Sequence, residues 1–294
     1  MTASFDGISW EVAAASGCEL AEHPLWDGND DSLVWVDVLS GSVHRLERSG
    51  SYHVSRLGSI VGAVGLRHDG GLVACVDDQF FFLDAAGRPD RAPLSAPLLE
   101  GSRFNDAACD PAGRFLAGTA ALDGVSALGR LLQLHSDGTI KVLLEDLSES
   151  NGMGWSPDGG TFYFVDSGDP RIRRYDYKIE SGRIGARRGD LTAFAGTDGV
   201  PDGLTVDADG TVWVAMWQGS ALRRYASDGR LLAHLPLPVS RPTCPGFGGP
   251  ALDRLYVTTA WEGMNATERE AEPWAGHVLS AQVGAQGQPA YRFG

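Results

Sequence analysis

The sequence predicts an all-β fold, a closed six-bladed β-propeller, on three observations. First, six short apolar segments fall into register along the 294 residues: Leu33-Val34-Trp35-Val36-Asp37, Leu72-Val73-Ala74-Cys75-Val76, Phe115-Leu116-Ala117-Gly118-Thr119, Phe162-Tyr163-Phe164-Val165-Asp166, Val212-Trp213-Val214-Ala215 and Leu255-Tyr256-Val257-Thr258. From Leu33 to Leu72, Phe115, Phe162, Val212 and Leu255 the steps are about 39 to 50 residues, the period of a four-stranded blade. Second, the segments follow tight-turn signals. Third, long apolar patterns of helical period are missing throughout.

The turns are Asp69-Gly70-Gly71, Asp110-Pro111-Ala112-Gly113, Asp158-Gly159-Gly160 and Asp209-Gly210. Asp-Gly and Asp-Pro supply the positive-φ and fixed-φ positions that a tight hairpin needs. Further strands follow, as in Ser42-Val43-His44-Arg45-Leu46, Arg171-Ile172-Arg173-Arg174-Tyr175 and Ala221-Leu222-Arg223-Arg224-Tyr225. Their polar–apolar alternation indicates one wet face. Closure of the ring is expected from Ile8-Ser9-Trp10-Glu11-Val12, pairing with the chain around His277 to Ser280. Residues 1–294 read as a single domain, since large all-β domains commonly run this long.

Composition narrows the function. With 43% hydrophobic residues, 39 Gly and 15 Pro, the chain can bury a large core and make many turns. A formal net charge of -14 repels phosphate backbones and anionic membranes, so neither nucleic acid nor membrane is an expected partner. Cys18, Cys75, Cys109 and Cys244 are too few and too far apart for a disulfide framework or a thiolate zinc site, and read as reduced and buried. Acid stands where a signal peptide would carry positive charge, and no apolar stretch approaches a membrane span. A cytoplasmic protein is expected. Asn265-Ala266-Thr267 fits a glycosylation triplet by chance.

The chemistry is expected at the strand starts. The innermost strand of each blade lines a central channel, so equivalent positions of different blades converge at one mouth. Glu22, Asn105, Asn151 and Asp202 are read at such positions. Each Asn-Gly or Asp-Gly is by itself also a turn former. Together, two carboxylates and carboxamides offer hard oxygen ligands that suit one divalent cation.

With these motifs in place the chain resembles the senescence marker protein-30 (regucalcin), gluconolactonase and luciferin-regenerating enzyme family. The resemblance rests on Glu22-His23-Pro24-Leu25-Trp26, Arg103-Phe104-Asn105-Asp106, Ser150-Asn151-Gly152, Pro201-Asp202-Gly203 and Phe247-Gly248-Gly249 with Leu255-Tyr256-Val257-Thr258-Thr259-Ala260, and spans almost the whole chain. It implies a six-bladed propeller that hydrolyses a sugar lactone with one divalent metal cation: Ca²⁺, Zn²⁺, Mn²⁺ or Mg²⁺. It places the metal ligands at Glu22, Asn151 and Asp202, and the substrate contacts at Arg103, Asn105 and Asp123. Asp123 stands where the family usually has the longer Glu. The segment Thr119 to Gly129 is shorter than the lid of the animal proteins, which implies an open pocket. His23 is either a donor to a metal ligand or a bystander, and we take the second. Pro245 within Thr243-Cys244-Pro245-Gly246 departs from the family pattern and puts the local strand geometry in question.

Asp202 is the expected general base, and Arg103 and Asn105 would anchor the sugar. For Arg103 the competing reading is an ion pair with Asp106 or Asp110. The expected partner is a small-molecule sugar lactone, met by a monomer or weak homo-oligomer. Two rival functions stay open: a calcium-binding regulatory propeller without turnover, and an interaction scaffold. No Gly-x-Ser-x-Gly elbow or His pair supports other hydrolytic chemistry.

Overall fold

A computed structural model describes residues 2–5, 7–124 and 126–294. Its strands form six antiparallel sheets arranged as the blades of a propeller. The innermost strands are Ala21–Asp27, Val61–Leu66, Ser102–Cys109, Ser150–Trp155, Val200–Val206 and Pro242–Gly248, which define blades 1 to 6 and pack against one another around the channel. The six apolar segments of the repeat lie in the second strands: Ser32–Asp37, Leu72–Val76, Phe115–Ala121, Thr161–Asp166, Val212–Trp217 and Arg254–Thr259. These strands have neighbours on both edges and blades on both faces. That is why they read as unbroken apolar runs.

Ring closure follows the expected pairing. Blade 6 continues through Val278–Gln282 to Ile8–Ala14 and Thr2–Phe5, with Glu11 opposite Ser280 and Val12 opposite Leu279. Pairing the two ends of the sequence leaves no unfinished sheet edge inside the ring. The core is divided into six apolar clusters, one at each blade junction. Trp10 and Trp213 fill the junction of blades 5 and 6, for example, and Leu33, Trp35 and Val278 fill that of blades 6 and 1. All four cysteines are free and buried.

Asn265 has a structural use that the triplet did not suggest. It caps the short helix Ala266–Ala271, accepting from the amides of Thr267 and Glu268, while the Glu268 carboxylate returns to the Asn265 amide. Among the described residues no helix is long and apolar enough to cross a membrane.

One irregularity recurs in every blade. Each innermost strand loses register with its neighbour at the same place: between Glu22 and Leu25, Val61 and Val64, Phe104 and Ala107, Ser150 and Met153, Pro201 and Leu204, and Pro242 and Pro245. Such bulges free side chains from the ladder and re-aim them. Pro245 closes one of them, so it fits the strand without breaking it.

The glycines inside two of these bulges are not turn residues. Gly152 and Gly203 have ordinary negative-φ backbones and lie where the next blade comes closest. A Cβ on Gly203 would stand 2.5 Å from both Cβ and Sγ of Cys244. Gly203→Ala is therefore expected to destabilise the propeller by about 1–3 kcal/mol through overpacking. Thermal unfolding in chelator reads this loss; an unchanged midpoint would show that the blades have slack.

The strand-end mouth of the channel is covered by the segment around residues 287–293. There the Gln288 amide donates to the carbonyls of Trp155, Val206 and Asp207, and Phe293 pairs with Arg67. The strand-start mouth is a cleft, and the bulges open into it.

Candidate active site

The cleft has a volume of about 400 Å³ and is lined by Glu22, Arg103, Asn105, Glu149, Asn151, Ser167, Asp202, Trp217 and Glu262, with Leu20, Leu39, Ile60, Leu122, Val200 and Pro201. Five residues singled out in the sequence thus converge from four blades. Asn105, Asn151 and Asp202 each occupy the first bulge position of blades 3, 4 and 5.

Glu22 does not share that position. It lies one residue earlier, paired with Val36, and the bulge residue equivalent to Asn151 and Asp202 is His23. The sequence alignment of Glu22 with the other three is therefore off by one. The physical reason is at His23, whose φ of 59° puts a non-glycine residue in the left-handed region. This bend carries the chain so that the longer Glu22 side chain serves the cleft.

His23 is also more than a bystander. Its amide donates to Glu22 Oε2 at 2.8 Å, and its Nδ1 lies 2.8 Å from Asp106 Oδ1. One residue thus holds the Glu22 carboxylate and ties it to Asp106 of blade 3.

A second repeated device positions the strand starts. Asp37, Asp77 and Asp166, each ending a second strand or directly following it, accept amide hydrogen bonds from the run-in to the innermost strand of the same blade. Asp37 takes those of Glu19 and Leu20, Asp77 those of Ser59 and Ile60, and Asp166 those of Ser148 and Glu149. The clamps end two residues before Glu22 and Asn151. They fix the backbone from which those side chains project.

The electrostatics of the cleft favour a cation. The carboxyl of Glu22 is held well above its usual range, first by burial and then by the nearby Asp202 and Asp106. Glu22 keeps some surface exposure, yet its carboxyl lies deep enough for lost hydration to dominate. Burial likewise raises Asp202, reinforced by Glu149 and Asp106. Arg103 is the one Lys or Arg among the lining residues, and it is engaged elsewhere. Its Nη1 donates to the Phe104 carbonyl at 2.9 Å and to Asn105 Oδ1 at 2.6 Å, and its Nη2 is 3.8 Å from Glu149. Arg103 thus pairs with Glu149, and not with Asp106 or Asp110 as in the competing reading; Asp110 holds Arg114.

Asn151 completes the pattern. Its Nδ2 donates to Ser167 Oγ at 3.1 Å, and Ser167 Oγ donates its own proton to the Pro201 carbonyl at 2.9 Å. The hydroxyl can only accept from Asn151, which fixes the amide orientation. Asn151 Oδ1 is then left buried without a partner. An orphaned carbonyl oxygen beside two crowded carboxylates is the donor set of a hard divalent cation. The residues present fit such an ion.

A second cluster, Cys18, Asp37 and His44, brings potential ligand atoms within 4.8 Å of one another, outside the cleft. Its donors are already used. Both Asp37 oxygens accept backbone amides, His44 contacts Ser42 and Tyr52, and burial pushes the Cys18 thiol up to about 11. A thiolate ligand would need the opposite shift.

Asp123 stands apart from the other substrate candidates. It lies in the loop after Phe115–Ala121, where its carboxylate accepts from the amide and hydroxyl of Ser126 at 2.9 and 2.5 Å, and it does not line the cleft. Leu122 from that loop does; Val125 lies outside the described residues. The sequence reading missed Glu149, Ser167, Trp217 and Glu262. Only Glu149 had a local signal, standing two residues before Asn151.

The fold and cleft together define a class: six-bladed propellers with an acidic, amide-containing site at the channel mouth. The chain belongs to the SMP-30/gluconolactonase/LRE-like family, whose sequence profile matches residues 20–261. It is similar to the pentonolactonase XacC of Haloferax volcanii, 34% identical over 94% of this chain and 95% of that protein. It is also similar to a 6-deoxy-6-sulfogluconolactonase of Pseudomonas putida, 35% identical over 91% of this chain and 92% of that protein. Among solved structures, a calcium-binding regucalcin from Agrobacterium tumefaciens superposes with a TM-score of 0.86, at 29% identity over 96% of this chain and 98% of that one.

Proposed function

We propose that this chain hydrolyses a sugar (aldono-) lactone to the aldonic acid, as a gluconolactonase-like lactone hydrolase that uses one divalent cation held by Glu22, Asn151 and Asp202. Sugar-lactone hydrolysis is supported by family membership and by the lactonases it resembles over nearly their whole length. The observation that carries the cation is local. Asn151 Oδ1 is orphaned beside two carboxyls raised by burial and neighbouring carboxylates, and the one basic side chain among the described lining residues, Arg103, is paired with Glu149.

A cation held there by Glu22, Asn151 and Asp202 would supply Lewis acidity toward the lactone carbonyl and the attacking water. The protein's own groups do the rest. Asp202 accepts the proton of the attacking water as its oxygen joins the carbonyl carbon, and returns it to the ring oxygen as the acyl–oxygen bond breaks. Asn105 keeps one N–H and one lone pair beyond its bonds to the Ser150 carbonyl and Arg103, enough to hold a sugar hydroxyl. Arg103, braced by Asn105 and Glu149, presents its remaining N–H groups to substrate oxygen. Asp123 reaches the substrate by giving up Ser126. The wall supplied by Trp217 and Leu122 limits water around the sugar.

The working unit in this proposal is the single propeller of residues 1–294, alone or in a weak homo-oligomer. It acts in the cytoplasm without nucleic acid or membrane partners, in keeping with the net charge of -14. The test is a pH-indicator screen of pentono- and hexono-lactones against metal-stripped protein, re-supplied with Ca²⁺, Mg²⁺, Mn²⁺ or Zn²⁺ in turn. Turnover that returns with at least one cation supports the reading. Tight cation binding with no turnover on any lactone would instead support the calcium-binding regulatory alternative.

A further inference from the structure

We infer that Glu149 and Glu262 are selectivity residues that reject lactones carrying an anionic substituent, so that this cleft takes uncharged polyhydroxy lactones and excludes phosphorylated, sulfonated or carboxylated ones. The inference rests on the lactonase reading above and extends it to substrate class. Family membership does not decide the matter, since one relative is named for a sulfonated lactone.

Four carboxylates line the cleft: Glu22, Glu149, Asp202 and Glu262. Against them stand one guanidinium, Arg103, and the two charges of a bound cation, which leaves one negative charge in surplus. Charge count alone would be a weak argument, but the guanidinium is also paired with one of the four carboxylates. Arg103 is tied to the Phe104 carbonyl, Asn105 Oδ1 and Glu149. Arg241, which touches two lining residues from behind, donates to the Glu262 carbonyl at 2.7 Å and lies 5.6 Å over the Trp217 ring. The one cationic side chain among the described lining residues, Arg103, is therefore already ion-paired, and its remaining N–H groups bring no surplus positive charge to a phosphate or sulfonate.

Glu149 acts twice. Its carboxylate adds like charge to the cleft wall, and at 3.8 Å from Arg103 Nη2 it offsets the charge that would otherwise attract an anion. Its backbone is fixed by the Asp166 clamp, so its side chain projects from a set point on the cleft wall. Hydroxyls meet the opposite environment, because they donate hydrogen bonds to carboxylate oxygens. The wall thus discriminates by repelling the wrong substrate as well as by binding the right one.

The experiment compares glucono-1,5-lactone with its 6-phosphate, using the full chain saturated with the activating cation and correcting for spontaneous hydrolysis. Wild type should prefer the uncharged lactone in kcat/KM by about 10- to 100-fold at low ionic strength, narrowing in high salt. Glu149→Gln and Glu262→Gln together should reduce that preference by about tenfold, with Glu149→Gln giving the larger share because it also frees Arg103. Competitive binding of sorbitol and sorbitol 6-phosphate reads the same discrimination without turnover. Equal efficiencies in wild type, or an unchanged ratio in the folded double variant, would overturn the inference. Discrimination between the two polyols with no lactone turned over would leave it standing and sink the lactonase reading. Absence of both turnover and binding would overturn both.

Discussion

Asp202→Asn is expected to lower lactone turnover by about 10²-fold or more while the metal-free protein becomes more stable than metal-free wild type. The two effects share one cause. Asp202 is buried near Glu149 and Asp106, and its charge also raises Glu22, so without a cation that charge is unfavourable. Replacing the carboxylate by an isosteric amide removes that repulsion. It also removes the base that takes the water proton and one charge that holds the ion. The gain should be on the order of 1–3 kcal/mol, each kcal/mol raising the midpoint by roughly 2–4 °C. Melting in chelator and initial rates with cation measure both. A residue of purely structural value would show the reverse: lower stability and nearly normal turnover.

The second large effect is a pH-dependent stability that the cation abolishes. Glu22 and Asp202 are both held well above their ordinary values of 4.5 and 3.8 in the folded protein. The folded state therefore keeps protons that the unfolded chain releases. This contribution to stability is complete below the unfolded values and is lost as pH rises through the raised ones. Metal-free protein should melt at a lower temperature at pH 8 than at pH 5. Cation binding requires the deprotonated carboxylates, so added Mn²⁺ or Ca²⁺ should raise the midpoint more at pH 8 than at pH 5. The Glu22→Gln, Asp202→Asn double variant should lose both the site's share of the slope and the cation effect. A cation shift larger at pH 5 would place the ion elsewhere.

Much of this was legible in the sequence because a repeat converts position into proximity. Six apolar second strands at a blade-like period gave the propeller. The N-terminal strand with its Trp10 gave the closure, since a ring needs a partner for Val278–Gln282. Glu22, Arg103, Asn105, Asn151 and Asp202 share one cleft because each stands at the start of an innermost strand. What stayed hidden depends on local backbone geometry. The left-handed conformation of His23 shifts Glu22 by one register position, and no residue pattern announces such a conformation at a histidine. The bulges explain why Gly152 and Gly203 follow the site residues: the next blade leaves no room for a Cβ, whereas the same dipeptides in isolation read as turns.

The remaining site residues come from places where periodicity carries no information. Trp217 ends a second strand, Ser167 follows one, and Glu262 lies beyond the end of Arg254–Thr259. Each reaches the cleft through loop geometry. Asp123 shows the converse: its carboxylate accepts from Ser126 in its own loop, and the proposed substrate role requires it to leave that contact. The Asp clamps were visible as letters, in Val36-Asp37, Val76-Asp77 and Val165-Asp166, but their role needs the coordinates of the amides they hold.

The central claim is that Glu22, Asn151 and Asp202 form the cation site, and anomalous diffraction from crystals grown with Mn²⁺ tests it most directly. One strong anomalous peak is expected in the cleft, about 2.0–2.6 Å from a Glu22 oxygen, Asn151 Oδ1 and an Asp202 oxygen. An ion at Cys18, Asp37 and His44 with the cleft left empty, or no bound ion in a crystal whose protein is active, would contradict the account.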